Sequence, residues 1–298
     1  MRYLMFCLMI CVSPYVGAYD IWFNSNERFF LNDVIQEQNK ESLKNVNVYK
    51  MLSQNVMYSS DRDLRLFFKY LKENNIKLAL ESPVLVWKKD KGFKLEGFSS
   101  QGLMPAVLRK IKSNGGELNF FAMDEAFYFS VLYKGNNSAK YSISQYQEEV
   151  VDRLNIVKSI FPDVKIGDIE PYIQIENEKL LVDYFRVIKE ISKEVKIDFI
   201  HFDVLWQGNW PLTLQKMREF TINNDMKLGV IFNASGEIDN NALWIDTAKS
   251  NVEHVIANGT SFEDAVIQGW GNYPDKSFPR KDADSQLSMI DFLHARNY

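Results

Sequence analysis

The segment Ile197-Asp198-Phe199-Ile200-His201-Phe202-Asp203-Val204-Leu205-Trp206 contains a short β-rich run, Ile197–Phe202, that closes on a carboxylate and then a tryptophan. Runs of this kind recur along the chain: Ile21–Phe23, Val46–Leu52, Lys77–Leu80, Leu118–Ala122, Val164–Gly167, Lys227–Phe232 and Ala265–Gln268. Most are continuously apolar rather than alternating, as expected of parallel strands covered on both faces. Val46–Leu52 is the exception, because Asn47 and Lys50 interrupt it.

Between these runs lie segments with helical spacing of apolar residues. Asp61–Asn74 carries Leu64, Phe67, Phe68 and Leu71, with Asp61 as the expected N-cap. Ser142–Ser159, Glu178–Glu194, Leu212–Asn223, Ala242–Asn258 and Ser285–Arg296 continue the alternation. Eight strands alternating with helices specify a closed parallel barrel or a doubly wound sheet. No glycine-rich phosphate loop follows the first strand, which argues against a dinucleotide-binding sheet. The expected fold is therefore α/β, a single (β/α)8 barrel over residues 19–298 that is irregular at its short first strand. The length of 298 residues suits one such barrel, and no Pro/Gly/Ser-rich linker divides it.

The N-terminus reads as an export signal over residues 1–18. Arg2 supplies the positive end, Leu4 to Val12 a short apolar stretch, and Val16-Gly17-Ala18 a small-residue cleavage site. Cleavage after Ala18 would place the mature chain in the periplasm or outside the cell. Cys7 and Cys11 both lie in the signal, so the mature chain has no thiol chemistry. Loss of Arg2 takes the formal charge from −4 to −5. With no basic stripe, nucleic acid is not an expected partner. No later segment is long and apolar enough for an integral membrane span.

The polar residues that close the strands are the functional signal. They are Glu81 on the third, Asp124-Glu125 on the fourth, Asp168-Ile169-Glu170-Pro171 on the fifth, Asp203 on the sixth, Asn233 on the seventh and Gln268 with Trp270 on the eighth. In such barrels the strand-to-helix loops form the active face. The long loops Ser82–Gln101 and Ala126–Ser142 belong there. Carboxylates gathered on one rim repel one another, which raises some of their pKa values and leaves a protonated acid beside ionised neighbours. Taken singly, each acid could instead cap the following helix, and Asp168 fits that structural role best. Tyr172, Trp206, Trp210, Trp270 and Tyr273 lie near the acids. Such rings stack on the C–H faces of sugars, so the expected partner is a carbohydrate. Trp22 and Trp244 are read as sealing the barrel top. His201 could assist a carboxylate or be a core histidine.

With these residues in place, the chain resembles the glycoside hydrolase TIM-barrel superfamily. Within it the resemblance is to an uncharacterised bacterial group of glycosidase-like barrels carrying Met-Asp-Glu, Asp-Ile-Glu-Pro and Gln-x-Trp motifs. Here these are Met123-Asp124-Glu125, Asp168-Ile169-Glu170-Pro171 and Gln268-Gly269-Trp270. In the large retaining clan of that superfamily an acid/base Glu, usually after Asn, closes the fourth strand. A nucleophile Glu closes the seventh, and a Trp the eighth. Glu125 and Trp270 match; Asp124 replaces the Asn, and Asn233 stands where the nucleophile would be.

The resemblance implies a glycoside hydrolase with Glu125 as general acid and Glu170 or Asp203 as the second catalytic carboxylate. Glu81, Asp124, Tyr172, Trp206, Asn233, Gln268 and Trp270 would bind substrate, with no cofactor and no metal. Two alternatives remain open. One is a carbohydrate-binding barrel without catalysis. The other is a metal-dependent lyase or isomerase using Glu81, Asp124, Glu170 and Asp203.

Overall fold

The computed structural model describes residues 18–25, 30–36, 41–171 and 178–297. Eight parallel strands close into a barrel: β1 (Asp20–Phe23), β2 (Val48–Leu52), β3 (Lys77–Ser82), β6 (Leu118–Asp124), β7 (Lys165–Glu170), β8 (Phe199–Asp203), β9 (Lys227–Phe232) and β10 (Asp264–Ile267). Neighbours in the barrel are neighbours in this order, and β1 closes the ring against β10, with Trp22 opposite Val266. Every strand expected from the sequence is present. β1 has four residues and is described normally; its short length does not break the ring.

The period of two decides which side chains face inward. Trp22, Val48, Ala79, Phe120, Ala122, Ile169, Phe199, Ile231 and Val266 form an inner cluster separate from the larger core between strands and helices. Trp22 therefore fills the barrel interior rather than sealing its top; its ring lies 4.7 Å from Phe120 and 5.5 Å from Phe199. Trp244 belongs to the outer core. Two inward positions are glycine because large neighbours occupy their space. A Cβ on Gly167 would meet the Phe199 ring at 2.1 Å, and one on Gly229 would meet His201 at 2.4 Å.

The covering helices are α3 (Asp61–Glu73), α4 (Leu103–Ser113), α5 (Ile143–Ile160), α6 (Glu178–Glu194), α7 (Trp210–Asn223), α8 (Asn241–Asn258) and α9 (Ser288–His294), with shorter α1 (Phe30–Val34) and α2 (Ser53–Tyr58). Ser60, not Asp61, is the N-cap of α3. Its hydroxyl accepts from the Asp63 N–H at 3.1 Å, and Asp61 lies in the first turn, where the helix dipole favours an acid. Helix α4, not anticipated from the sequence, buries Met104, Val107, Leu108 and Ile111 on one face. Among the described residues no helix is long and apolar enough to cross a membrane. The export signal read over residues 1–18 falls outside the described residues except for Ala18.

The loop after β3 is not bare. Two-residue strands β4 (Leu85–Val86) and β5 (Phe98–Ser99) pair within it. This draws Gly97 onto the barrel, where a Cβ would stand 3.0 Å from the Ala126 Cα and 3.1 Å from the carbonyl oxygens of Asp124 and Glu125. With φ of +76° and no room for a side chain, the position requires glycine. The loop after β6 contains a π-helical turn, Tyr128–Leu132.

Candidate active site

Alternation sends Lys50 of β2, Glu81 of β3, Asp124 of β6 and Asp203 of β8 inward, above the inner apolar cluster. Asn233 and Gln268 follow in phase just beyond β9 and β10. Glu81 anchors one side. The Lys50 ammonium, fully buried, contacts its carboxylate at 2.6 Å. The Gln268 amide Nε2 donates to both Glu81 oxygens, at 3.1 and 3.2 Å. A buried carboxylate needs this compensation, since desolvation costs several kcal/mol per ion.

On the other side, Asn233 Nδ2 donates to Asp203 Oδ1 at 3.2 Å, and Trp206 Nε1 donates to Asn233 Oδ1 at 2.8 Å. Trp206 in turn stacks on Phe232. Asn251 Nδ2 donates to the Asn233 backbone carbonyl at 2.9 Å and holds the end of β9 in place. Trp270 is 41% exposed.

Strict alternation would point Glu125 outward with Phe121 and Met123. Its backbone instead turns left-handed, with φ of +47°, while its N–H stays bonded to the Ile169 carbonyl at 2.9 Å. A left-handed non-glycine residue costs roughly 1–2 kcal/mol and occurs mainly where the surroundings enforce it. The turn brings the side chain beside Glu96, Asp124 and Asp203 with 6% exposure.

Burial is the largest cause of the raised pKa values here. It pushes Glu125 up to about 11, reinforced by the charge and hydrogen bond of Glu96 and by the charges of Asp124 and Asp203. Asp124 is also raised well above the ordinary range by burial, then by the charges of Glu81 and Glu96. Asp203 is pushed by burial up to about 7, while the Asn233 hydrogen bond pulls it down. Lys50 lowers both aspartates through its charge.

Glu170 does not join this group. With Ile169 facing inward, its neighbours Asp168 and Glu170 face the helix layer. Both Glu170 oxygens are engaged there, accepting from the Phe127 N–H at 2.6 Å and the Tyr128 N–H at 3.0 Å. Asp168 accepts from the Tyr184 hydroxyl at 3.0 Å and is pushed by burial up to about 8. His201 lies deeper in the barrel than Asp203. It is buried, contacts Asp264 Oδ2 at 3.2 Å, and has its pKa lowered by burial. It is a core histidine. Tyr172 lies outside the described residues.

Two participants escaped sequence reading. Lys50 was visible as a cation interrupting an apolar run, and its in-phase spacing with Val48 was the available signal. Glu96 is in a loop whose path depends on the β4–β5 pair, and no local pattern marks it. Among the described residues, no group of three His, Cys, Asp or Glu side chains could hold a metal ion.

A closed (β/α)8 barrel with carboxyl groups gathered at the C-terminal ends of its strands is thus the class of protein that fold and site define. No family model matches the chain, and no curated protein matches it in sequence. Its fold does match solved structures. An endo-1,4-beta-xylanase from Caldicellulosiruptor owensensis superposes with a TM-score of 0.55 over 88% of this chain and 90% of its own, at 12% identity. A GH10 endoxylanase retrieved from a sugarcane soil metagenome gives 0.58 over 94% and 99%, at 9% identity. The 3-keto-D-glucoside 4-epimerase from E. coli gives 0.51 over 92% and 99%, at 12% identity. The chain is similar in structure to glycosidase-like TIM barrels, and at these identities the likeness establishes the fold alone.

Proposed function

We propose that the protein is a glycoside hydrolase acting on a poly- or oligosaccharide. Glu125 is its general acid and Asp203 its general base. The observation that carries this reading is the left-handed backbone at Glu125, which turns its side chain into the barrel mouth where Asn233 holds Asp203 at 3.2 Å; burial raises both carboxyls there, Glu125 to about 11 and Asp203 to about 7. At neutral pH one holds its proton and the other can give its up, the division that glycosidic cleavage needs.

In the proposed reaction, Glu125 passes its proton to the glycosidic oxygen as the C–O bond breaks. Asp203 takes a proton from the water that attacks the anomeric carbon. Proton exchange with solvent then restores both groups. Asn233 occupies the end of the seventh barrel strand, where an amide cannot serve as a carboxylate nucleophile. Asp203 is read as activating water in a single displacement, and inversion is the outcome that distinguishes this from nucleophilic attack by Asp203 itself. Trp270 at the rim offers a stacking face, and Asp124 and Glu81 offer acceptors to sugar hydroxyls. Removing a general acid typically costs 10²–10⁴ in rate. Glu125→Gln and Asp203→Asn should each lose at least about a hundredfold on a panel of aryl glycosides and oligosaccharides, and NMR of the first-formed anomer should show inversion. Undiminished turnover by Glu125→Gln would remove it from the role.

Asn233 also favours a second reading, a carbohydrate-binding barrel without catalysis. That reading predicts saturable glycan binding with no turnover across the same panel. We further place the protein in the periplasm or outside the cell, on the strength of the signal-like residues 1–18. An exported form beginning at Tyr19 would bear this out.

A further inference from the structure

We propose that Trp206 is a positioning residue for Asp203, acting through the Asn233 amide: it fixes which end of that amide faces the carboxylate, and so which Asp203 oxygen is left to take a proton. The proposal deepens the hydrolase reading of the same site, since it rests on Asp203 as the general base. The three groups form one chain of hydrogen bonds. Trp206 Nε1 donates to Asn233 Oδ1 at 2.8 Å, and Asn233 Nδ2 donates to Asp203 Oδ1 at 3.2 Å. An indole N–H can only donate, whereas a side-chain amide has an accepting oxygen at one end and a donating NH2 at the other. The indole therefore decides the orientation of the amide. Turned the other way, the amide would bring two donors together at Trp206 and aim its oxygen at a carboxylate. Trp206 thus acts on Asp203 without touching it, and the acid meets a donor, which favours its ionised form.

The chain is held from outside the mouth. The Trp206 ring stacks on Phe232, with centroids 6.2 Å apart and planes at 16°, and meets Trp210 edge-on at 5.6 Å and 68°. Phe232 is the last residue of β9 and Trp210 the first of α7, so a strand and a helix together set where the indole N–H lies. Asn251 of α8 donates to the Asn233 carbonyl at 2.9 Å and fixes the backbone that carries the amide. Asn233 is buried, so water is a poor substitute for either of its side-chain partners. Its bond to Asp203 lowers the proton affinity of that acid, against burial and the charges of Glu81 and Glu96 and in the same direction as the charge of Lys50. Asp124 and Glu125 also feel the Asp203 charge. Among the described residues none of these charged groups is hydrogen-bonded to Trp206 or Asn233, so removing the indole N–H alters the amide and leaves them in place. With Oδ1 accepting from the amide, Oδ2 is the oxygen left to take the proton of the attacking water.

The test is a pH titration of the aspartate carboxyl carbons by NMR on the intact protein, with Asp203→Asn assigning the resonance. Trp206→Phe keeps an aromatic ring beside Phe232 and removes the donor. It should raise the Asp203 midpoint by about half to one pH unit, the size of one net hydrogen bond. The acidic limb of kcat/KM should move with it, and kcat should fall more than KM rises. In the Asn233→Ala background the same change should add nothing, because its route to Asp203 is gone. In the wild type, where folding is not in question, the Trp206 indole N–H resonance should titrate with the Asp203 midpoint. An Asp203 midpoint unmoved by Trp206→Phe, an equal shift in the Asn233→Ala background, or an indole resonance that ignores Asp203 would overturn the proposal. The titration needs no turnover, so it is read apart from hydrolysis. Coupled shifts in a protein that turns over no glycan would sink the hydrolase reading and keep the relay. Turnover whose acidic limb follows Asp203 but ignores Trp206→Phe would do the reverse.

Discussion

Glu125→Gln should make the protein inactive and more stable at the same time. Glutamine has nearly the shape of a protonated glutamic acid, and its amide can still donate towards Glu96. The two differ in what neutrality costs. Glu125 is raised from 4.5 to about 11 in the fold, so at pH 7 the folded protein holds a proton that the unfolded chain has released. Stability from this group is complete below the unfolded value of 4.5 and declines as pH rises towards about 11. Between 4.5 and pH 7 the loss accumulates at about 1.4 kcal/mol per pH unit, or about 3 kcal/mol in total. Proton sharing with Glu96 and Asp124 makes this an upper figure. Glutamine carries no such loss. For a chain of this size the gain corresponds to a Tm rise of roughly 4–8 °C at pH 7. Thermal or urea unfolding of wild type and variant, followed from pH 4 to pH 9, provides the assay. The two should be nearly equal at pH 4 and diverge as pH rises. A variant no more stable than wild type at pH 7, with a difference flat in pH, would mean that Glu125 is ionised in the fold. The proton donor would then have to be sought elsewhere.

Three other perturbations probe the supports of the site. Asn233→Ala removes the hydrogen bond that lowers the Asp203 pKa, so the acidic limb of kcat/KM, expected near pH 7, should move to higher pH; an unmoved limb would dissociate Asp203 from it. Lys50→Met strands Glu81 as a buried carboxylate, with an expected loss of about 3–5 kcal/mol in urea unfolding, much of it recovered by Lys50→Met with Glu81→Gln. Glu170→Ala leaves the Phe127 and Tyr128 N–H groups unmatched, at about 1–3 kcal/mol each, and loosens the turn that follows Glu125. Its kcat should fall more than its KM rises, and a pure KM effect would contradict that positioning role.

The barrel itself was legible because it rests on two signals that need no tertiary knowledge: continuous apolar runs and helical segments at regular spacing. Helix α4 escaped because its apolar residues follow the irregular loop from Ser82 to Gln101, whose strand pair is a tertiary product. At the site, strand ends locate carboxylates along the barrel axis, but only parity tells which side of the wall they occupy. Asp-Ile-Glu-Pro illustrates the point. The apolar Ile169 sits opposite Asp124 and takes the inward position, so the flanking acids must face the helices, where Glu170 meets two peptide N–H groups. That parity was readable from the alternation within the motif. Glu125 breaks the same rule in the other direction, because a left-handed backbone angle turns an outward position towards the mouth. No residue pattern encodes that angle, and glutamate is not among the residues, Asn, Asp and His, that favour it. The strain therefore falls on the residue whose proton the proposed reaction uses. Holding it there are a strand carbonyl at Ile169 and a glycine at 97 packed against the turn, with the Glu170 carboxylate beyond it. On the proposed reading, the outward acid of the fifth barrel strand would contribute to the chemistry by fixing the frame in which Glu125 is bent.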